Sequence, residues 1–156
     1  MRRFEEVKEE FLTHPEVKTI LPQRSSRGSA GYDFKSKEKY TLKKGESHMF
    51  WTDVCVVMFM DNLLKIYPRS GMAIKHGVVI KNGVGIIDSD YYANENNYGN
   101  IGICLVNNGD EDLQINIGDR IAQGIFEKYY IVDDDVMAYG RNIDNKRNGG
   151  FGSSGR

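Results

Sequence analysis

The stretch VVIKNGVGIIDSDYY, residues 78–92, decides the fold. Two short runs of mostly β-branched residues, Val78–Ile80 and Val84–Ile87, flank Asn82-Gly83, the dipeptide that most strongly signals a hairpin turn. The same pattern extends in both directions. SAGYDF, KYTL, HMFWTDVCVVMFM and LLKIYP precede it, and IGICLVN, LQINI and RIAQGIFEKYYIV follow. All are short, rich in Val, Ile, Tyr and Phe, and separated by Gly, Asn and Asp, which predicts an all-β sandwich or barrel. The 17 glycines suit a fold with many turns.

Only residues 3–12 depart from this, with Phe4, Val7, Phe11 and Leu12 at helical spacing, which predicts a short amphipathic helix. Past Asp135 the apolar pattern fades. The reading is therefore an N-terminal helical extension over 1–15, a β domain over 16–135 and a flexible C-terminal arm over 136–156.

The 156 residues, 40% hydrophobic and 28% charged, fit one soluble domain with its own core. A formal net charge of -1 provides no global field toward nucleic acid or a membrane surface, so any phosphate recognition must be local. No apolar run approaches the length of a membrane span, and the start MRRFEEVKEEFL is too acidic for a signal peptide, which points to a cytoplasmic protein. Cys55 and Cys104 lie in apolar runs and read as buried free thiols. His14, His48 and His76 show no metal-ligand spacing.

Five islands carry chemistry. In GSAGYDF, Asp33 follows a small-residue turn that admits close backbone approach, although an Asp beside such a turn also serves structure. In YPRSGMAIKHG, Arg69, Ser70 and Gly71 offer a guanidinium fork, a hydroxyl and bare backbone, a trio suited to phosphate oxygens and equally to an ordinary turn. In NGVGIIDSDYY, Asp88 and Asp90 would point to the same face of an extended strand, an arrangement that suits a shared cation or proton, or a solvated strand end. In GDRIAQGIF, Asp119 and Arg120 read as an ion pair at a turn, and Gln123 enters an apolar strand where its amide needs a partner.

The fifth island is the tail NKRNGGFGSSGR. From Gly150 it nearly spells the phosphate-binding G-x-x-x-x-G-K-[ST], with Arg156 in place of Lys, but no helix follows. Its Gly and Ser amides suit an anion nest that needs no helix, or a merely polar end.

Together, SAGYDF, PRSGMAIKHG, NGVGIIDSDY, GDRIAQ and GGFGSSG resemble, in order and spacing, the five motifs of the trimeric dUTPase family, from about Leu21 to the C-terminus. The resemblance implies a distorted jelly-roll-like β-barrel and a homotrimer whose active sites are shared between subunits, the third lending its C-terminal arm. It implies hydrolysis of dUTP to dUMP and pyrophosphate, assisted by Mg²⁺. Asp88 matches the carboxylate that activates the attacking water. Asp33 and Gln123 match groups that act on Mg²⁺ through water, Gln123 also meeting the triphosphate, while Arg69, Ser70 and Gly71 match phosphate contacts. Asn82 and Gly85 match the uracil-reading turn, and Tyr91 the aromatic under the sugar. Phe151 would cover the base, and Gly152, Ser153 and Ser154 would close on the γ-phosphate.

Two departures from the family pattern stand out. YANENNYGN, residues 92–100, replaces a shorter turn, and Lys146 holds the place of the fifth motif's Arg, with Arg147 one residue closer to Gly149. The alternatives are a dCTP deaminase-like enzyme of the same fold, against which IIDSDY and the Phe-bearing tail argue, and a dUTP-gated regulator that binds a protein partner.

Overall fold

The computed structural model describes residues 1–135. In chain order the strands are β1 (Arg3–Glu6), β2 (Gln23–Arg24), β3 (Tyr32–Lys35), β4 (Tyr40–Leu42), β5 (Ser47–Trp51), β6 (Val54–Val57), β7 (Asn62–Pro68), β8 (Val78–Ile80), β9 (Gly85–Asp88), β10 (Gly102–Asn107), β11 (Leu113–Ile115) and β12 (Arg120–Lys128). One helix, α1 (Ser70–His76), separates β7 from β8.

Alternation sets the faces. In β10, Ile103, Leu105 and Asn107 are buried while Gly102, Cys104 and Val106 are half-buried; in β7, Asn62, Leu64 and Ile66 point inward. A five-stranded sheet, ordered β2-β3-β12-β7-β9, and a three-stranded sheet, β5-β10-β8, supply most of the core. The antiparallel pairs β4–β11 and β1–β6 complete the jelly-roll-like fold. Phe34, Leu42, Phe50, Leu64, Leu105 and Ile121 are all but sealed from solvent. Each such side chain contributes about 1.5–3 kcal/mol through burial.

The N-terminal segment corrects the reading of residues 1–15 as a helical extension. Arg3–Glu6 is a strand paired antiparallel with β6, and only Glu9–Phe11 forms a 3₁₀ turn. Phe4 packs its ring 5.3–5.6 Å from those of Tyr32, Phe34 and Phe126, and Val7 is buried with its N–H donated to Asp53 O. The sheet edge at β6 and this aromatic pocket outweigh a weak local helical preference.

A second correction concerns Asn82-Gly83. The turn is present, with Gly83 at φ 79° and its N–H donated to Ile80 O, but β8 and β9 do not pair. β8 joins β10 in one sheet, and β9 joins β7 in the other. The turn therefore carries the chain between sheets.

The expected strand geometry of Asp88 and Asp90 also gives way. β9 ends at Asp88, and Ser89–Tyr91 is a 3₁₀ turn, so the two carboxylates do not share a strand face. Nor did the sequence reading expect a helix at PRSGMAIKHG, where α1 forms and ends on Gly77 at φ 66°.

Candidate active site

The first group of site residues collects where β3, β12 and the end of β7 lie side by side. Register places Gln123 opposite Asp33 on one side and opposite Tyr67 on the other. Arg69, just past β7, brings its Nε 2.9 Å from Asp33 Oδ1, and Arg120 Nη1 lies 3.4 Å from Asp33 Oδ2. Both carboxylate oxygens thus face guanidinium groups.

The expected Asp119–Arg120 ion pair does not form. Asp119 Oδ2 instead accepts the N–H of Asn116 and closes the turn before β12, which leaves Arg120 to Asp33. Sequence reasoning missed Arg120 as a member of this group, because the adjacent Asp119 offered it a nearer partner on paper.

Gln123 is half-buried and donates from Nε2 to Pro68 O at 3.2 Å, so its amide has its partner. Its Oε1 lies where a side chain on Gly31 would begin: a Cβ there would stand 2.4 Å from it. The close approach expected at SAGYDF is the seat of this amide. Beside it, α1 starts at Ser70 with no side-chain cap, and its first internal bond is Ala73 N–H to Arg69 O. The amides of Ser70, Gly71 and Met72, which follow Arg69 in the chain, have no acceptor within the helix.

The second group surrounds a cavity of about 520 Å³. Asn82, Gly85 and Tyr91 line it together with Met49, Ile66, Ile80 and Cys104. It opens where β8 and β9 diverge, so one wall belongs to the three-stranded sheet and the other to the five-stranded sheet. The lining is mainly apolar with few polar groups, the character of a pocket for a flat organic ring. Asp88 sits at the end of β9, three residues before Tyr91.

Cys104 is half-buried in the cavity wall, whereas the sequence placed it in the core; Cys55 is buried, and burial pushes its thiol up to about 12. Both are free thiols. Lys146, Arg147, Phe151, Gly152, Ser153 and Ser154, the expected arm contacts, lie outside the described residues.

The Asp88 end of the second group stands away from the first within one chain, whereas Ile66 in the cavity wall directly precedes Tyr67 on β7. Asp88 pairs with Leu63, while Gln123 pairs with Tyr67, four positions further along β7. At strand rise this is roughly 13 Å along the sheet, before the step to the next strand is added.

The family model described as dUTPase matches residues 18–155. The deoxyuridine 5'-triphosphate nucleotidohydrolase of Swinepox virus (strain Kasza) is 43% identical over 138 residues, covering 87% of this chain and 89% of the viral protein. The crystal structure of the dUTPase from Streptococcus mutans superposes with a TM-score of 0.73 at 32% identity, over 83% of this chain and 98% of that one. A mutant dUTPase from phage phi11 of S. aureus, described with a structural Mg(II) ion, shares the fold at 24% identity and a TM-score of 0.67, over 85% of this chain and 94% of that one.

Fold and sequence thus define the class as all-β dUTPase-like. The chain belongs to the dUTPase family.

Proposed function

We propose that the protein hydrolyses dUTP to dUMP and pyrophosphate as a homotrimer, by attack of an Asp88-activated water in line on the α-phosphorus. The observation that carries this reading is the division of the site residues. An apolar cavity with an amide edge and an aromatic wall lies on one part of the chain, and an arginine–amide cluster on another. Asp88 and the arginine–amide cluster stand roughly 13 Å apart along the sheet of one chain, which supports a site that draws them from different subunits.

In that site the uracil ring enters the cavity. Asn82 and the backbone about Gly85 present donors and acceptors to O4 and N3–H, and cytosine, with reversed polarity at its 4-position, leaves them mispaired. Tyr91 lies under the deoxyribose. Asp88, as a carboxylate beside the sugar–phosphate junction, takes a proton from the incoming water. From a neighbouring subunit, Arg69, Ser70 and Gly71 receive the phosphates and offset the charge that grows on the leaving pyrophosphate.

The donor set suits Mg²⁺ in a particular way. Asp33 has both oxygens facing arginines, and no cluster of three His, Cys, Asp or Glu exists among the described residues. This does not make a protein cage for a cation. It fits a cation held by phosphate oxygens and water, with Asp33 and Gln123 reaching it through water. When bound, Mg²⁺ would neutralise phosphate charge. Phe151, Gly152, Ser153, Ser154 and a cation from Lys146 or Arg147 would close over the substrate and exclude bulk water.

Among the described residues no helix is long and apolar enough to cross a membrane. In the cytoplasm the reaction would limit uracil in DNA and supply dUMP for thymidylate synthesis. The test is pyrophosphate release by the purified protein with Mg²⁺, comparing dUTP, dCTP, dTTP and UTP. Release from dUTP alone, with dUMP as co-product, is expected; silence with dUTP, or ammonia from dCTP, would overturn the reading.

A further inference from the structure

The loop of residues 92–100 folds back onto the residue before it, Tyr91. Asn94 donates from Nδ2 to Tyr91 O (2.8 Å) and to Asn97 Oδ1 (2.7 Å), and its own Oδ1 accepts the N–H groups of Asn96 and Asn97. Asn97 in turn donates from Nδ2 to the Tyr91 hydroxyl at 2.7 Å, while that hydroxyl donates to Asn100 O at 2.9 Å. The phenol oxygen is thus held on both its donor and acceptor sides, and Tyr91 is only 5% exposed although its residue lines the cavity.

The loop is itself anchored at a distance. Asn100 Nδ2 reaches Asp53 Oδ1 at 2.9 Å and Thr13 Oγ1 at 3.2 Å, Tyr98 stacks on Phe11 at 5.7 Å, and Tyr92 donates its hydroxyl to Glu5. The return is tight at Gly99, with φ 80° and a would-be Cβ only 2.8 Å from Tyr91 O. Nothing in this arrangement leaves the Tyr91 ring free to back away from the cavity.

From this we infer that Asn97 is a positioning residue: by clamping the Tyr91 hydroxyl it sets how firmly the site rejects a nucleotide that carries a 2′-hydroxyl. The inference rests on the proposed reading of Tyr91 as the wall beneath the sugar. A wall excludes one extra oxygen only if it cannot yield by about that atom's radius, and a single donor from Asn97 is what completes its fixation. Such steric rejection is worth about 10- to 200-fold, so loosening the wall changes selectivity before it changes chemistry.

The experiment measures kcat and KM for dUTP and for UTP in the full chain, in Asn97→Asp, in Tyr91→Phe and in the double variant. Asp at 97 keeps an acceptor for Gly99 N–H and for Asn94 Nδ2 but offers the Tyr91 hydroxyl an acceptor in place of a donor. Asn97→Asp is expected to raise the UTP-to-dUTP ratio of kcat/KM by about tenfold, mainly through a lower KM for UTP. Added to Tyr91→Phe, it should change that ratio no further.

An unchanged ratio in Asn97→Asp, or an equal rise in the Tyr91→Phe background, would overturn the inference. Should Asn97→Asp fail to fold, Tyr91→Phe decides alone, since it removes the clamp and leaves the loop intact, and an unchanged ratio there overturns it as well. Failure of the unaltered chain to hydrolyse dUTP in the same assay would mark instead the failure of the underlying reading.

Discussion

Oε1 of Gln123 occupies the space that any side chain on residue 31 would need, with a Cβ at Gly31 falling 2.4 Å from it. The amide can therefore lie across from Asp33 and reach Pro68 O only because residue 31 is glycine.

Gly31→Ala is expected to push the amide off Pro68 O. Overpacking of this kind costs about 1–3 kcal/mol, and a displaced positioning group about 10- to 100-fold in kcat/KM for dUTP. Thermal melting and steady-state pyrophosphate release would report the two effects. In a Gln123→Ala background the same change should cost less stability, because the contact with Oε1 is gone and only the 3.2 Å approach to the residue 123 Cβ remains.

Asp88→Asn removes the proposed proton acceptor and leaves the shape of the β9 end. Turnover of dUTP should fall by about 10²–10⁴, with KM little changed. Single-turnover pyrophosphate release, with nucleotide binding measured separately by calorimetry, separates loss of chemistry from loss of binding. Near-normal turnover would remove Asp88 from its role.

Phe151→Ala tests the contribution of the C-terminal segment. Loss of an aromatic cover over the base should raise KM for dUTP by about tenfold, the scale of one stacking contact of 1–3 kcal/mol. An unchanged KM would separate the tail from the base.

Asp53 is fully buried and faces Lys37 Nζ at 2.7 Å, with the N–H groups of Thr13 and His14 on its oxygens. Burial alone would raise its carboxyl, but the Lys37, Thr13, Asn100 and His14 contacts outweigh it and hold the group below its ordinary value of 3.8. A carboxyl lowered in the folded state gives stability that is complete above the unfolded value and lost as pH falls through the lower folded one. Acid unfolding should therefore steepen below about pH 4. Asp53→Asn leaves Lys37 buried without its counter-charge and should cost about 3–5 kcal/mol at pH 7, with a flatter acid limb in denaturant titrations followed from pH 7 to 2.

Much of the fold was legible because it is written locally. Short runs of Val, Ile, Tyr and Phe set off by Gly, Asn and Asp, such as Gly102–Asn107, are a strand signal that tertiary context only reinforces. The family was legible for a different reason, since five collinear motifs carry more information than any one of them. What escaped was long-range. Phe4 and Val7 sit at helical spacing, yet the free edge of β6, some fifty residues later, recruits Phe4 into a strand and leaves Val7 buried just past its end. Asn82-Gly83 makes a turn under local rules, but partner choice sends β8 and β9 to different sheets. Arg120 looked committed to its neighbour Asp119, whereas the fold sets it opposite Lys35 on β3 and within reach of Asp33, two residues along that strand. The Asn-rich loop was visible as composition, while its grip on Tyr91 depends on a fold-back that composition does not specify.

The divergence of β8 and β9 has a consequence for how a bound ring would be felt by the rest of the molecule. A flat base seated there would touch Gly102 and Cys104 on one sheet and Ile66 and Ile87 on the other, acting as a keystone between two layers that otherwise part. Its affinity would then be linked to the cohesion of the whole sandwich, so occupancy should slow amide exchange in β7 and β10 alike, well beyond the residues that touch the base.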